Sequence, residues 1–248
     1  MMLDDLNAFF SGDYALFRDR IVGPEDDRPG LPARALLTDD GLGTVLERFG
    51  ATHPGADRRG LVSLWSRYYF LWLTVPSVVA NLVLHRELPV ALDDLDVILG
   101  DDGLPSAFRV PDEGRVWSEP PEPFERFSGL LAENVEPLID GLYHQVKVSR
   151  RVLWSNAGNY FEWLVSAMVD YGAPEAVVAP ALTIVEAPER PDGTPNPMHH
   201  PVQYVERSEG PSPLRQRRQC CIQYRVPGFG LCGNCPLIDR PPKGVTVG

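Results

Sequence analysis

Apolar residues recur at the three- and four-residue spacing of an amphipathic helix in several parts of this 248-residue chain. Near the N-terminus, Leu3, Leu6, Phe9 and Phe10 would share one face of such a helix. The same spacing, with turn residues between the segments, predicts five helical regions. They cover approximately residues 1–20, 36–49, 57–84, 124–143 and 146–171.

The most apolar stretch covers residues 61–84 and is long enough to cross a membrane. It also contains the charged Arg67, the polar Asn81 and a central proline, Pro76. Proline removes a backbone hydrogen-bond donor and clashes with the preceding helical turn. We therefore predict two buried helical pieces broken at the proline and no membrane span, while peripheral membrane contact stays open.

Short apolar runs bounded by turn residues predict strands. Residues 97–99 and 108–110 flank a tight turn at 101–103, which indicates a β-hairpin. Residues 183–185 and 202–205 are two further candidate strands. Strand content is low compared with the predicted helices.

Together these patterns predict an α+β fold class, with an α-rich body, a small antiparallel sheet and a C-terminal lobe. We place the body in residues 1–205 and the lobe in residues 206–248, because all the cysteines lie in the second range.

The net charge of −11 argues against nucleic acid as a partner, because phosphate binding needs a concentrated cationic surface. The charge is unevenly distributed, however. Residues 206–235 contain five arginines and two glutamates, so basic residues gather around the cysteines while the rest of the chain is more acidic.

All four cysteines lie in one short segment, in which Cys220 and Cys221 are adjacent and Cys232 and Cys235 follow ten residues later. Thiols gathered so closely indicate one metal centre rather than four unrelated core residues. Structural zinc sites normally use two C-x2-4-C pairs, and only the second pair here fits that pattern. Neighbouring side chains in an extended segment point apart. A [2Fe–2S] cluster with two ligand-accepting ends is therefore favoured, and zinc stays the alternative.

The N-terminus has no basic region followed by an apolar run, so no signal peptide is apparent. We predict a cytoplasmic, reducing location, where disulfides are disfavoured and a metal site is favoured. A thioredoxin-like role for residues 232–235 would need a strand and a helix around the motif, which this proline- and glycine-rich tail does not supply.

Residues 217–224, followed by Pro227, Gly228 and residues 232–237, resemble the C-terminal iron–sulfur signature of the FhuF-like ferric siderophore reductases. Residues 153–157 resemble the family more weakly. The resemblance implies that Cys220, Cys221, Cys232 and Cys235 ligate a [2Fe–2S] cluster, which makes the C-terminal lobe an iron–sulfur lobe.

The resemblance also implies an oxidoreductase that passes one electron to iron(III) held by a siderophore, usually of the hydroxamate type. No dinucleotide fingerprint is present, so the electron would come from a separate donor such as a ferredoxin or a reductase. The alternative from another functional class is a non-catalytic, zinc-stabilised protein that binds a siderophore or a partner.

The arginines of the cysteine segment have two candidate roles. They could neutralise an anionic cluster and favour its reduced form, or contact an anionic siderophore or an acidic electron donor. These residues are Arg215, Arg217, Arg218 and Arg225. Trp154 is a further candidate for substrate contact through the family resemblance, although its helical spacing with Val148 and Val152 is typical of a core residue.

Overall fold

The structure, a computed structural model, describes residues 2–207 and 212–246. Helices predominate and the strands form small sheets, so the predicted α+β class is confirmed. The helices are α1 Met2–Phe9, α2 Asp39–Ala51, α3 Arg58–Val83, α4 Pro123–Arg126, α5 Ser128–Leu130, α6 Glu136–Val146, α7 Arg150–Asp170 and α8 Glu175–Glu186. The strands are β1 Ile21–Val22, β2 Gly30–Pro32, β3 Arg86–Glu87, β4 Asp96–Leu99, β5 Pro105–Arg109, β6 Arg115–Val116, β7 Val202–Val205 and β8 Leu214–Arg217.

Helix α3 passes through the centre of the body and is continuous for 26 residues. The predicted break at Pro76 is therefore wrong, because Pro76 lies inside the helix. Val75 and Val78 on either side are completely buried, so packing on several sides of the helix offsets the backbone hydrogen bond that proline removes. At the N-terminus of α3, Asp57 caps the helix by accepting a hydrogen bond from Gly60 N at 3.0 Å.

Helix α7 packs along α3 and completes the main hydrophobic core. Trp65 and Leu73 of α3 and Phe161 of α7 are among its completely buried members. This pairing matters for function because polar residues of both helices lie at the end nearest the cysteine segment.

The predicted hairpin at residues 97–110 is confirmed, since β4 and β5 pair antiparallel with Val97 opposite Phe108. They form the centre of a four-stranded sheet in the order β1-β5-β4-β2. The β1–β5 pairing is parallel, so this sheet is mixed rather than purely antiparallel as predicted. Two further antiparallel pairs, β3–β6 and β7–β8, are separate.

Two other predictions from the pattern need correction. The N-terminal helix ends at Phe9 instead of continuing to residue 20, and a 3-10 turn follows from Gly12 at a φ of +55°. Residues 183–185, predicted as a strand, lie within α8. A short apolar run fits a buried strand and a buried helix equally, and here Val178, Ala181 and Val185 share the buried face of a helix.

The predicted helix at residues 124–143 is divided into α4, α5, a π-helical turn Leu131–Val135 and α6. The predicted helix at 146–171 corresponds to α7. In the part of the chain that the structure describes, none of the helices combines the length and the apolar character needed to span a membrane.

Strand β7, which was predicted correctly, pairs antiparallel with β8 at the start of the C-terminal segment. A 3-10 turn Gln223–Arg225 then packs against the start of α3, where Asp57 N donates to Arg225 O at 3.3 Å. The segment is thus in contact with the body. The division into residues 1–205 and 206–248 stays a prediction.

Candidate metal centre

The backbone after β8 turns sharply, and this turn places the adjacent cysteines. Ile222 follows Cys221 directly and adopts a left-handed conformation with a φ of +52°, before the 3-10 turn begins. A second turn closes the motif, where Cys235 N donates to Cys232 O at 2.9 Å. The locally bent backbone that the adjacent thiols require is therefore present at Ile222.

The structure brings all four thiols together in a second small core. The Sγ atoms of Cys221 and Cys232 are 3.7 Å apart, and those of Cys220 and Cys235 are 3.6 Å apart. Each close pair therefore joins one member of the adjacent cysteines with one member of the C-x2-C motif. All four cysteines are buried and none is in a disulfide.

These distances fit ligands of a metal centre. Two thiolates on one tetrahedral ion with metal–sulfur bonds of about 2.3 Å lie about 3.8 Å apart. Two such pairs match a group with two metal ions, one pair at each end. Within the described residues, no three His, Cys, Asp or Glu side chains are grouped as a site for one metal ion.

Backbone donors stabilise charge on the sulfurs of one pair. Ile222 N donates to Cys220 Sγ at 3.3 Å, and Leu237 N donates to Cys235 Sγ at 3.4 Å. Hydrogen bonds to sulfur are one of the means by which a protein tunes an iron–sulfur group.

Electrostatics single out Cys221 among the four thiols. Hydrogen bonds from Cys220 and Cys232, with the positive charges of Arg217 and Arg67 nearby, hold the pKa of Cys221 far below its usual range. The same hydrogen bonds, together with burial, raise the pKa of Cys220 and of Cys232.

Arg67 of α3 reaches the site from the body. Its Nη1 lies 3.9 Å from Cys221 Sγ and also donates to Gln223 Oε1. Its Nε donates to the hydroxyl of Tyr160 at 3.3 Å. Gln223 in turn donates to Gly230 O at 3.0 Å, so Arg67 is connected to the loop between the two cysteine pairs.

Arg217 approaches the thiols from β8 and has no exposed surface. Its Nη2 donates to Asn156 Oδ1 and to Ser155 Oγ. Its Nη1 is buried and has no hydrogen-bond partner within the described residues. Burial lowers the pKa of Arg217, and the negative charge of Cys221 opposes that effect.

A buried polar network joins α3 and α7 beneath the cysteines. Asn156 Nδ2 donates to Ser63 Oγ at 3.0 Å and to Ser66 Oγ at 3.1 Å. Ser63 Oγ donates to the carbonyl oxygen of Cys221 at 2.7 Å. The body thus holds the backbone of the cysteine pair directly.

The other predicted contact residues lie in different environments. Arg215 forms an ion pair with Glu162 and also donates to Asn159 Oδ1 at 3.1 Å. Arg225 is exposed and 3.8 Å from Asp57, and Arg218 is exposed.

Trp154 belongs to the main core with 9% of its surface exposed, as the core alternative predicted. Arg217 is completely enclosed, so its side chain is not accessible to a partner in solvent.

Sequence reasoning did not assign Arg67, Ser63 or Gln223 to the site. The sequence did indicate that some of these residues have a special role, because Ser63, Ser66 and Arg67 are polar residues within the most apolar stretch of the chain. Buried polar residues need partners, and these partners lie in a segment more than 150 residues later.

Comparison with known proteins supplies the family. Residues 63–212 match the family described as "Ferric iron reductase FhuF-like transporter". This chain belongs to the FhuF-like ferric iron reductase family. Residues 217–237 match the "FhuF 2Fe-2S C-terminal domain", so the cofactor is a [2Fe–2S] cluster. All four cysteines lie within this second match, which favours the iron–sulfur interpretation over zinc.

Among relatives of this FhuF-like protein is the "Ferric siderophore reductase" of Escherichia coli (strain K12). It is 24% identical over 181 residues, which cover 73% of this chain and 67% of that protein.

Solved structures share the fold of this FhuF-like protein. ATP-bound aerobactin synthetase IucA from a hypervirulent pathotype of Klebsiella pneumoniae matches 68% of the chain with a TM-score of 0.53 and 14% identity. Aerobactin synthetase IucC from the same source matches 70% with a TM-score of 0.52 and 12% identity. The chain spans 36% of the length of each synthetase, and the likeness concerns the fold alone.

Proposed function

We propose that this protein is a ferric siderophore reductase whose [2Fe–2S] cluster is held by Cys220, Cys221, Cys232 and Cys235. The observation that carries the proposal is the pairing of four buried thiols, at Sγ–Sγ distances of 3.6 and 3.7 Å, inside the segment that matches the FhuF 2Fe-2S domain. The matched E. coli protein supports the substrate class.

The two close sulfur pairs support a specific ligand assignment. Cys221 and Cys232 would hold one iron, and Cys220 and Cys235 would hold the other. Each iron would then bind one of the adjacent cysteines and one of the C-x2-C pair. This arrangement spares the adjacent side chains from converging on a single ion.

Reduction releases iron from a chelator without destroying it. Oxygen chelators of the hydroxamate type hold the hard iron(III) tightly and iron(II) weakly. When bound, a [2Fe–2S] cluster supplies one electron at a time, which is what the conversion of iron(III) to iron(II) requires. A separate donor, such as a ferredoxin or a reductase, would restore that electron. We place the reaction in the cytoplasm.

The exposure of the cysteines supports one direction of approach for the exchange. Cys221 and Cys235 are completely buried, whereas Cys220 is 6% and Cys232 is 7% exposed. A ferric chelate or an electron donor would therefore approach from the side of Cys220 and Cys232. The exposed Arg218 and Arg225 in the same segment would attract an anionic partner.

The reaction can be tested by a single-turnover experiment without oxygen. Protein purified with its cluster is reduced with dithionite, freed of excess reductant and mixed with a ferric trihydroxamate complex. We expect the visible absorbance of the oxidised cluster to return, with one iron(II) trapped by a chromogenic chelator for each cluster that is reoxidised.

Two controls make the experiment decisive. Iron and acid-labile sulfide should be present in equal amounts at two per chain, whereas the zinc alternative requires a colourless protein with zinc and no sulfide. If the reduced protein stays reduced with hydroxamate, catecholate and carboxylate complexes of iron(III), the proposed substrate class is wrong.

A further inference from the structure

Two arginines at the cysteine site have no carboxylate partner. Within residues 2–207 and 212–246, neither Arg67 nor Arg217 forms a salt bridge with an aspartate or a glutamate. Arg215 and Arg225 in the same region do have such partners, Glu162 and Asp57. The two unpaired cations therefore differ from their neighbours.

Leaving these cations unpaired costs free energy. A buried charge without a counterion is strongly unfavourable, because the desolvation of the ion is not offset. Arg217 is completely buried, and its Nη1 has no hydrogen-bond partner among the described residues. Arg67 is partly buried, with its Nη1 3.9 Å from Cys221 Sγ.

Both guanidinium groups are within electrostatic range of the same two sulfurs. Each interacts electrostatically with Cys221 and with Cys232, the two cysteines whose Sγ atoms are 3.7 Å apart. The missing negative charge is therefore expected at this pair of thiols. In an oxidised [2Fe–2S] cluster with four thiolate ligands, the negative charges exceed the positive ones by two, and two guanidinium groups balance that excess.

We propose that Arg67 and Arg217 are charge-compensating residues whose counterion is the cluster, and that together they stabilise its reduced form. Reduction adds one more negative charge, which two fixed cations at the Cys221 and Cys232 end favour. The pair is assembled from α3 and β8, so the cluster potential depends on how the body and the cysteine segment pack. This inference rests on the cysteine ligation proposed above.

The test is a potentiometric titration of the cluster-containing protein, followed by visible and electron paramagnetic resonance spectra. Arg67→Met and Arg217→Met are compared with the wild type. We expect the ratio of reduced to oxidised cluster at a fixed applied potential to fall about tenfold or more in each variant, which corresponds to a midpoint lowered by about 59 mV or more. No siderophore is present, so failure of the reductase activity would not affect the result.

Two further variants separate charge from structure. Arg67→Lys keeps the positive charge and should titrate close to the wild type. Arg126→Met is a matched control, because Arg126 is buried without a carboxylate partner among the described residues, but is bonded to Asn81 away from the cysteines. Its cluster should titrate as in the wild type.

The result can overturn the proposal in three ways. Titration of Arg67→Met at the wild-type potential would show that the charge has no effect. An equal fall of the midpoint potential in Arg67→Lys would assign the effect to side-chain packing. An equal fall in Arg126→Met would assign the effect to a general loss of stability. If Arg217→Met fails to fold only because the residue is enclosed, Arg67→Met and Arg67→Lys decide whether a positive charge at this site stabilises the reduced cluster.

Discussion

Ser63 on helix α3 donates a 2.7 Å hydrogen bond to the carbonyl oxygen of Cys221, 158 residues later in the chain. The bond is buried and joins the reductase body to the backbone of the adjacent cysteines. Asn156 supports it by donating to the same hydroxyl at 3.0 Å. The position of Cys221 is therefore set by the body as well as by its own segment.

Replacing Ser63 by alanine should loosen the cysteine segment. The buried carbonyl of Cys221 loses its partner, at a cost of about 1–3 kcal/mol for an unsatisfied group, whereas the Asn156 amide keeps Ser63 O and Ser66 Oγ as acceptors. We expect the cluster of Ser63→Ala to be lost to a strong iron chelator several times faster than that of the wild type. Cluster loss is followed by visible absorbance.

Ser66→Ala is the matched control for this change. Ser66 is equally buried on α3 and shares Asn156 as a neighbour, but its hydroxyl donates to Ser63 O and not to the cysteine segment. Equal rates of cluster loss in the two variants would contradict a specific role for the Ser63–Cys221 bond.

Replacing Cys232 by serine should abolish or weaken the cluster. Its Sγ is 3.7 Å from Cys221 Sγ, and an alcohol oxygen is a poor substitute for a thiolate toward iron. Iron and acid-labile sulfide per chain should fall together with the visible absorbance. An unchanged spectrum in Cys232→Ser would show that this thiol is not a ligand.

Gly60 is predicted to be essential for packing of the cysteine segment on the body. A Cβ added there would lie 2.8 Å from Arg225 Cβ and 3.3 Å from the Arg225 carbonyl carbon. Gly60→Ala should therefore displace the 3-10 turn Gln223–Arg225 and lower the amount of cluster per chain. The measurement is iron content after purification under identical conditions.

Gly43→Ala provides the comparison, because nothing lies within 4 Å of a Cβ at that position in α2. Alanine should stabilise this helix by about 0.5–1 kcal/mol and leave the iron content unchanged. A full iron content in Gly60→Ala would show that the segment accommodates the extra methyl group.

The ion pair of Arg215 and Glu162 should contribute strongly to stability. Glu162 is buried and also accepts a hydrogen bond from the Tyr204 hydroxyl at 2.9 Å. Arg215→Met leaves this carboxylate without its cation, so the free energy of unfolding in urea should fall by about 3 kcal/mol. Arg207→Met breaks the more exposed pair with Asp239 and should cost less than about 1 kcal/mol. Similar losses in both variants would contradict this difference.

Arg218 is predicted to affect the rate of cluster reoxidation and not the midpoint potential of the cluster. Its side chain is exposed, so it can attract an anionic ferric complex through solvent. Arg218→Gln should slow cluster reoxidation by a negatively charged chelate at low salt, and the difference should shrink at high salt. Reoxidation by a neutral ferric trihydroxamate is the control. A lowered midpoint potential in this variant would place Arg218 with the charge-compensating residues instead.

The iron–sulfur chemistry of this protein could be predicted from the order of its residues alone. The spacing of Cys220, Cys221, Cys232 and Cys235 is a local property of sixteen consecutive positions, so the iron–sulfur interpretation and the family resemblance could be drawn from the sequence. The hairpin of β4 and β5 and the strand β7 were predicted for the same reason, because turn residues and alternation act over a few neighbours.

Tertiary structure decided which residues surround the sulfurs. In the sequence, Arg67 and Ser63 are polar residues within an apolar helical stretch. Their partners at Cys221 come only from the packing of α3 against the cysteine segment. Packing of α3 within the main core, at a distance along the helix from the cysteine segment, buries both sides of Pro76 and keeps α3 continuous. Burial and long-range pairing depend on the whole fold, so a local pattern cannot distinguish an enclosed Arg217 from an exposed Arg218.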